Sequence, residues 1–228
     1  MNLSNFALLV SLSALCGLLT VLSIRGLLRY RLTRTWAQLM WGAGLALAAA
    51  AMAVEAIVYF GVVDSPLLQA YVFFSAAIVG ILSLGATRIL RRPALERAYT
   101  YYILGSCGVV AIACLFTPLS TSMVQSGIIV GNPPLLLLLL SSLVTFPATV
   151  ILLAATAISL RRSWRWQSLL MAAGAVILGA GGTLYIASFP IALYYAEFLG
   201  IVLLFLGLVS LPQASTAPVP GSAPSSAP

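Results

Sequence analysis

From Ala37 to Val63 the chain runs for 27 residues with a single charged side chain, Glu55. An apolar helix of roughly 20 residues crosses the hydrocarbon core of a bilayer, and seven stretches can be marked off as spans: Phe6–Ile24, Ala37–Val63, Leu67–Thr87, Tyr99–Pro118, Leu135–Leu160, Trp166–Ala187 and Pro190–Leu211. Of the 228 residues 62% are hydrophobic and 7% charged, against about a quarter charged in water-soluble domains. Too little polar surface remains to cover a soluble core of this size. A membrane barrel needs strands of about ten residues in strict alternation, and "LALAAAAMAV" and "LLLLLLSSLV" do not alternate. The expected fold is therefore all-α, a polytopic bundle of seven transmembrane helices over residues 1–211. The segment "MVQSGIIV", 123–130, is too short to span and is a candidate to dip into the interface.

All eleven positive charges are arginines, in three groups. Arg25, Arg29, Arg31 and Arg34 follow the first span, Arg88, Arg91, Arg92 and Arg97 the third, and Arg161, Arg162 and Arg165 the fifth. The remaining loops, the N-terminus and residues 212–228 hold none. This is the positive-inside pattern. It predicts an N-terminus outside, arginine loops in the cytoplasm touching anionic lipid headgroups, and a cytoplasmic C-terminus. Nucleic acid is not an expected partner, because no contiguous basic face with base-reading groups is present. Trp36, Trp41, Trp164 and Trp166 flank the arginines and read as the aromatic belt of that interface.

"MNLSNF" has no Lys or Arg, so no cleaved signal peptide is expected. "PQASTAPVPGSAPSSAP", 212–228, cannot bury a core and is expected to be a disordered Pro/Ala/Ser-rich tail. Cys16, Cys107 and Cys114 all lie within spans and read as small buried residues rather than disulfides or metal ligands.

Residue types that are missing narrow the chemistry. There is no histidine and no lysine. Ordinary haem ligation, His-based metal sites, Ser–His pairs and a retinal Schiff base are all excluded. No phosphate-cradling loop is present, since "GAGG", 179–182, falls inside a span. An enzyme would have to work with Glu55, Glu197, Asp64, tyrosines and serines alone. The chain is expected to be neither an enzyme nor a holder of any cofactor or metal.

A faint internal repeat runs through the chain. "TRTW" ending at Trp36 matches "RRSW" ending at Trp164; Tyr59, Pro66 and Tyr71 then match Tyr185, Pro190 and Tyr195. Spans one to three would recur as five to seven around span four, in parallel orientation, a plan transporters use. This 3+1+3 layout resembles, in topology, the sugar-efflux and opsin-like seven-helix families. The stretch "TWAQLMWGAGLALAAAAMAVEAIVYFG…LLQAYVFFSAAIVGILSLGATRIL" resembles segments of uncharacterised prokaryotic integral membrane proteins, over about a quarter of the chain. The resemblance implies a multi-pass protein of a prokaryotic cell (inner) membrane and brings no functional residue.

Two carboxylates stand where a carboxylate is costly. Glu55 lies six residues before Gly61, and Glu197 seven residues after Pro190. At 1.5 Å per residue both sit roughly 10 Å below the outer ends of their helices. Gly44, Ala48 and Ala51 share a helical face with Glu55; Gly200, Leu204 and Gly207 share one with Glu197. Small residues allow helices to approach closely, so both glutamates are expected to face inward. Tyr59, Tyr71, Tyr185, Tyr194 and Tyr195 lie near the same level, a candidate polar site beneath the charge-free loop 119–133. Pro147 frees a backbone carbonyl in span five and is expected to kink it. Two functions remain open: a small-solute, proton or cation transporter or ligand-binding protein with an outward-facing pocket, or a non-catalytic subunit packed against a larger membrane complex. Each glutamate could equally be a hydrogen-bonded structural residue.

Overall fold

A computed structural model describes residues 3–90, 92–125, 128–129, 133–162, 166–167, 169–170, 172–174, 176–177 and 190–209. The chain is built of long helices: α1 (Leu3–Thr33), α2 (Trp36–Tyr59), α3 (Ser65–Thr87), α4 (Pro93–Phe116), α5 (Leu135–Arg162) and α6 (Pro190–Val209). The described positions among 166–177 are helical as well. Five helices, α1 to α5, are long and apolar enough to cross a membrane. Their outer faces are apolar: Val21, Leu28, Ile112, Leu115, Leu139 and Phe146 are exposed. That surface suits lipid and not water, and the architecture is compatible with an integral membrane protein. Positions 178–187 of the sixth expected span and the tail 212–228 lie outside the described residues.

Helix ends follow local chemistry. The first helix runs nine residues past the expected Ile24, through Arg25, Arg29 and Arg31. Long arginine stems can lie along an apolar helix while their heads reach water, so the charges do not end it. Arg34 ends it, at φ 53, with its N–H bonded to Tyr30 O at 2.7 Å. Thr33, Thr35 and Gln38 then tie the two-residue turn together by side-chain hydrogen bonds. Between α2 and α3 the turn passes through Gly61 at φ +93, a conformation only glycine adopts freely. Pro66 opens α3 and Pro93 opens α4, where a missing N–H costs no helix bond.

Successive helices pack antiparallel. Ser23 Oγ donates to Gly42 O at 2.9 Å and Cys16 Sγ to Ala49 O at 3.6 Å, joining α1 to α2. A Cβ on Gly26 would stand 3.1 Å from Gly42 Cα, so these two backbones nearly touch. A Cβ on Gly44 would stand 2.6 Å from Leu82 Cδ2 of α3. On its other side α3 seats α4 and α5: a Cβ on Gly80 would be 2.8 Å from Val144 Cγ1 and 3.3 Å from Ile103 Cγ2. Two core clusters result. One joins α1, α2, α3, α5 and α6 through Leu19, Leu45, Ala48, Leu82, Leu152 and Phe205. The other joins α2 to α5 through Val58, Leu84, Ile103, Val110 and Val144.

All described arginines fall at one end of this bundle, at the C-termini of α1, α3 and α5 or the start of α4. Glu96 pairs there with Arg88, Nε to Oε1 3.2 Å. Asp64 stands at the other end.

One expectation is altered, that for Trp41. Trp36 and Trp166 are exposed, as an interfacial belt requires, but Trp41 is only 4% exposed. It sits a turn and a half inside α2, and its indole lies across Gly85 of α3. The absence of a side chain at Gly85 makes the room. Trp41 is therefore a core residue, and its indole N–H has no hydrogen-bond partner among the described residues. In α5 the chain stays helical through Pro147. The carbonyl that Pro147 cannot satisfy, Leu143 O, accepts instead from the Tyr102 hydroxyl of α4 at 2.7 Å. A freed carbonyl in a bilayer has no water to turn to.

Two outcomes are expected. Tyr102→Phe lowers the unfolding free energy in bicelles by about 1 kcal/mol, and loses most of that effect in a Pro147→Ala background, where the helix supplies its own donor. Gly85→Ala costs about 1–3 kcal/mol by overpacking against the indole, and Trp41→Phe relieves part of it in a double-mutant cycle.

Candidate functional site

Helix α2 is an alanine-rich rod with two buried sides. Leu45, Ala48, Ala49, Ala51, Met52, Val54 and Val58 are all buried, and small side chains let α1 and α3 close on it from both flanks. Glu55 sits among them at 3% exposure. It is the one buried charged side chain among the described residues. Asp64 is exposed, and Glu96 has its arginine. The described arginines lie at the opposite end of the bundle, since Glu55 comes 19 residues after Trp36, roughly 28 Å along the helix.

The surroundings of Glu55 come from register. On α2 and α3, Gly44 meets Leu82 and Trp41 meets Gly85, three residues back on one helix for three forward on the other. The same antiparallel register carries Glu55 to the level of Tyr71, which is half-buried and packs against both core clusters. Tyr59 follows one turn after Glu55, also half-buried, with its ring edge-on to Phe60 at 6.2 Å. Leu12 of α1 belongs to the same cluster as Met52. Of the expected site residues, the structure thus brings Glu55 and Tyr71 to one level and keeps Tyr59 one turn beyond.

Tyr185 lies outside the described residues. Glu197, Tyr194 and Tyr195 stand on α6, with side chains outside those described. Further along that helix Phe198, Ile201, Val202 and Phe205 pack into the cluster that holds Ala48, Ala51 and Met52 of α2. The helices bearing the two glutamates therefore share one core. No group of three His, Cys, Asp or Glu side chains that could hold a metal occurs among the described residues. The cysteines are free thiols.

The sequence placed loop 119–133 over this region but did not show how that loop folds or what ties it down. The connector after α4 folds as a short 3₁₀ turn, Thr121–Met123, and a two-residue antiparallel pairing, Val124–Gln125 with Ile128–Ile129. Leu119, Met123 and Ile129 are buried in the cluster of Val58. The connector is latched to the start of α3: Ser65 Oγ accepts from Leu119 N–H at 3.0 Å, and Gln69 Nε2 donates to Thr117 O at 3.0 Å. Its apolar composition was visible in sequence; its latch depends on side chains about 50 residues away and was not.

Neither protein-family models, curated proteins nor solved structures match the chain.

A carboxyl group held this way accepts a proton or a cation, or a hydrogen bond from a hydroxyl. Its burial is testable on its own. Glu55→Gln, of equal size, changes the unfolding free energy in bicelles by no more than about 1 kcal/mol, whereas Glu55→Arg costs more than about 3 kcal/mol. A tolerated arginine would show that position 55 reaches water or headgroups.

Proposed function

We propose that the chain is a seven-helix transporter or ligand-binding protein of a prokaryotic inner membrane, with Glu55 at the heart of a proton, cation or small-solute site. The observation that carries this reading is the burial of a carboxylate in α2, far from the described arginines and level with Tyr71. Ionisable groups inside a membrane are kept at a cost of several kcal/mol and serve as ion pathways and ligand sites. In this reading Glu197, Tyr185 and Tyr195 complete the site from the second half of the chain. The core shared by α2 and α6 supports that proximity. The segregation of the described arginines at one end supports the orientation: that end cytoplasmic against anionic lipid, the N-terminus and the Asp64 turn outside. No bond making or breaking is assigned to the site.

A second reading has its own support. Gly105 and Gly108 of α4 are exposed, with no neighbour where a side chain would stand, while Gly26, Gly42, Gly44, Gly80 and Gly85 are each met by another helix or side chain. Such a face could receive a helix of a larger membrane complex, with this chain as a non-catalytic subunit. Stoichiometric recovery of a partner from native membranes would favour it.

Two measurements test the first reading. In proteoliposomes loaded with proton- and cation-sensitive dyes, gradient-driven flux is expected for the wild type and is lost in Glu55→Gln at equal incorporation. In carboxyl-stretch infrared spectra, the Glu197 titration moves when Glu55 becomes Gln, because nearby carboxylates titrate as a unit. An unmoved Glu197 titration leaves two separate buried acids and removes the shared site.

A further inference from the structure

We infer that the connector between α4 and α5 is a hinged strap that governs access from the Asp64 end of the bundle to Glu55. The strap comprises Thr117–Gln125 and Ile128–Ile129 among the described residues. It crosses the end of α2: its second short strand contacts that helix, and Met123 and Ile129 share a buried cluster with Val58. Val58 comes three residues after Glu55, on the same helical face and one turn nearer the end. A solute approaching Glu55 along that face meets Val58 and the strap first.

Among the described residues, the following contacts hold the strap down. Three apolar side chains are buried beneath it, Leu119, Met123 and Ile129. Two side-chain hydrogen bonds tie its first residues to Ser65 and Gln69 of α3. Its own pairing spans two residues on each side, far below what makes an isolated hairpin stable. Elements with few buried contacts are those that open without global unfolding. Pro118 follows α4, and Pro133 and Pro134 precede α5. Residues before proline are biased away from helix, so both flanking helices stop there and the strap moves without fraying either. Residues 119–133 carry no charge, so no ion pair opposes the movement.

The inference takes Glu55 as the group to be reached, from the reading above, but does not require transport. Its test reads access alone. Glu55 is labelled in bicelles with a water-soluble carbodiimide and an amine, and the modified peptide is quantified by mass spectrometry. Loosening the latch in Ser65→Ala/Gln69→Ala raises the labelling rate roughly ten-fold, the factor that two weak side-chain hydrogen bonds confer on an opening equilibrium. Closing it with a disulfide in Ser65→Cys/Leu119→Cys suppresses labelling, and reduction of the same sample restores it, which guards against misfolding of the variant. Equal rates in the oxidised and reduced forms overturn the strap. So does a failure to label Glu55 in any folded form when the unfolded chain labels readily. Strap-dependent labelling without any flux in proteoliposomes would keep the strap and remove the transport reading.

Discussion

Gly80 and Gly85 allow α3 to lie against its neighbours at contact distance, and the bundle is organised around that helix. A lipid tail is as apolar as a leucine, so burying apolar surface does little to bring two helices together in a bilayer. Close packing and interhelical hydrogen bonds must do it. Here α2 approaches through Gly44, the Trp41 indole fills the space over Gly85, and Val144 and Ile103 close on Gly80. The buried Ser83–Tyr99 hydrogen bond, 2.7 Å, adds a polar tie between α3 and α4. Leu82 and Ala86 of α3 feed one core cluster and Ala76 and Leu84 the other, so both cores depend on the same helix.

The second constraint is that polar groups in lipid need partners from the protein. Ser23 meets the Gly42 carbonyl across α1 and α2, and Tyr102 meets the carbonyl that Pro147 releases. This arrangement lets α5 carry a proline without leaving a polar gap facing lipid. Glu55 belongs to the same account. A carboxyl group at 3% exposure in α2 is retained at a cost that an alanine at the same place would avoid, and that cost is the physical reason to assign it a role.

The candidate site and the connector meet at the last turn of α2. Glu55 lies below Val58, and Val58 packs with Met123 and Ile129. The connector was expected to lie over the site, and its described residues pack onto the helix ends and bond to Ser65 and Gln69. In the proposed reading, access to Glu55 from that end passes the connector, which separates the question of binding from the question of access.

Membrane class and helix positions were legible in the chain alone, because a bilayer demands long apolar runs whatever their partners. The inward face of Glu55 was legible too: Gly44, Ala48 and Ala51 recur with it at helical spacing, and all are buried. The collection of the described arginines at one end of the fold was already implied by their spacing between spans. Three things required the tertiary structure. Trp41 belongs to the core because Gly85, on another helix, leaves it space. The first helix continues through three arginines and ends only where the backbone turns at Arg34. Tyr71 reaches the level of Glu55 because the register of α2 on α3 is set at Gly44 and Gly85. For Trp41 and Tyr71 the deciding contact lies dozens of residues away or depends on how neighbours pack, and composition or period along one segment carries no record of it.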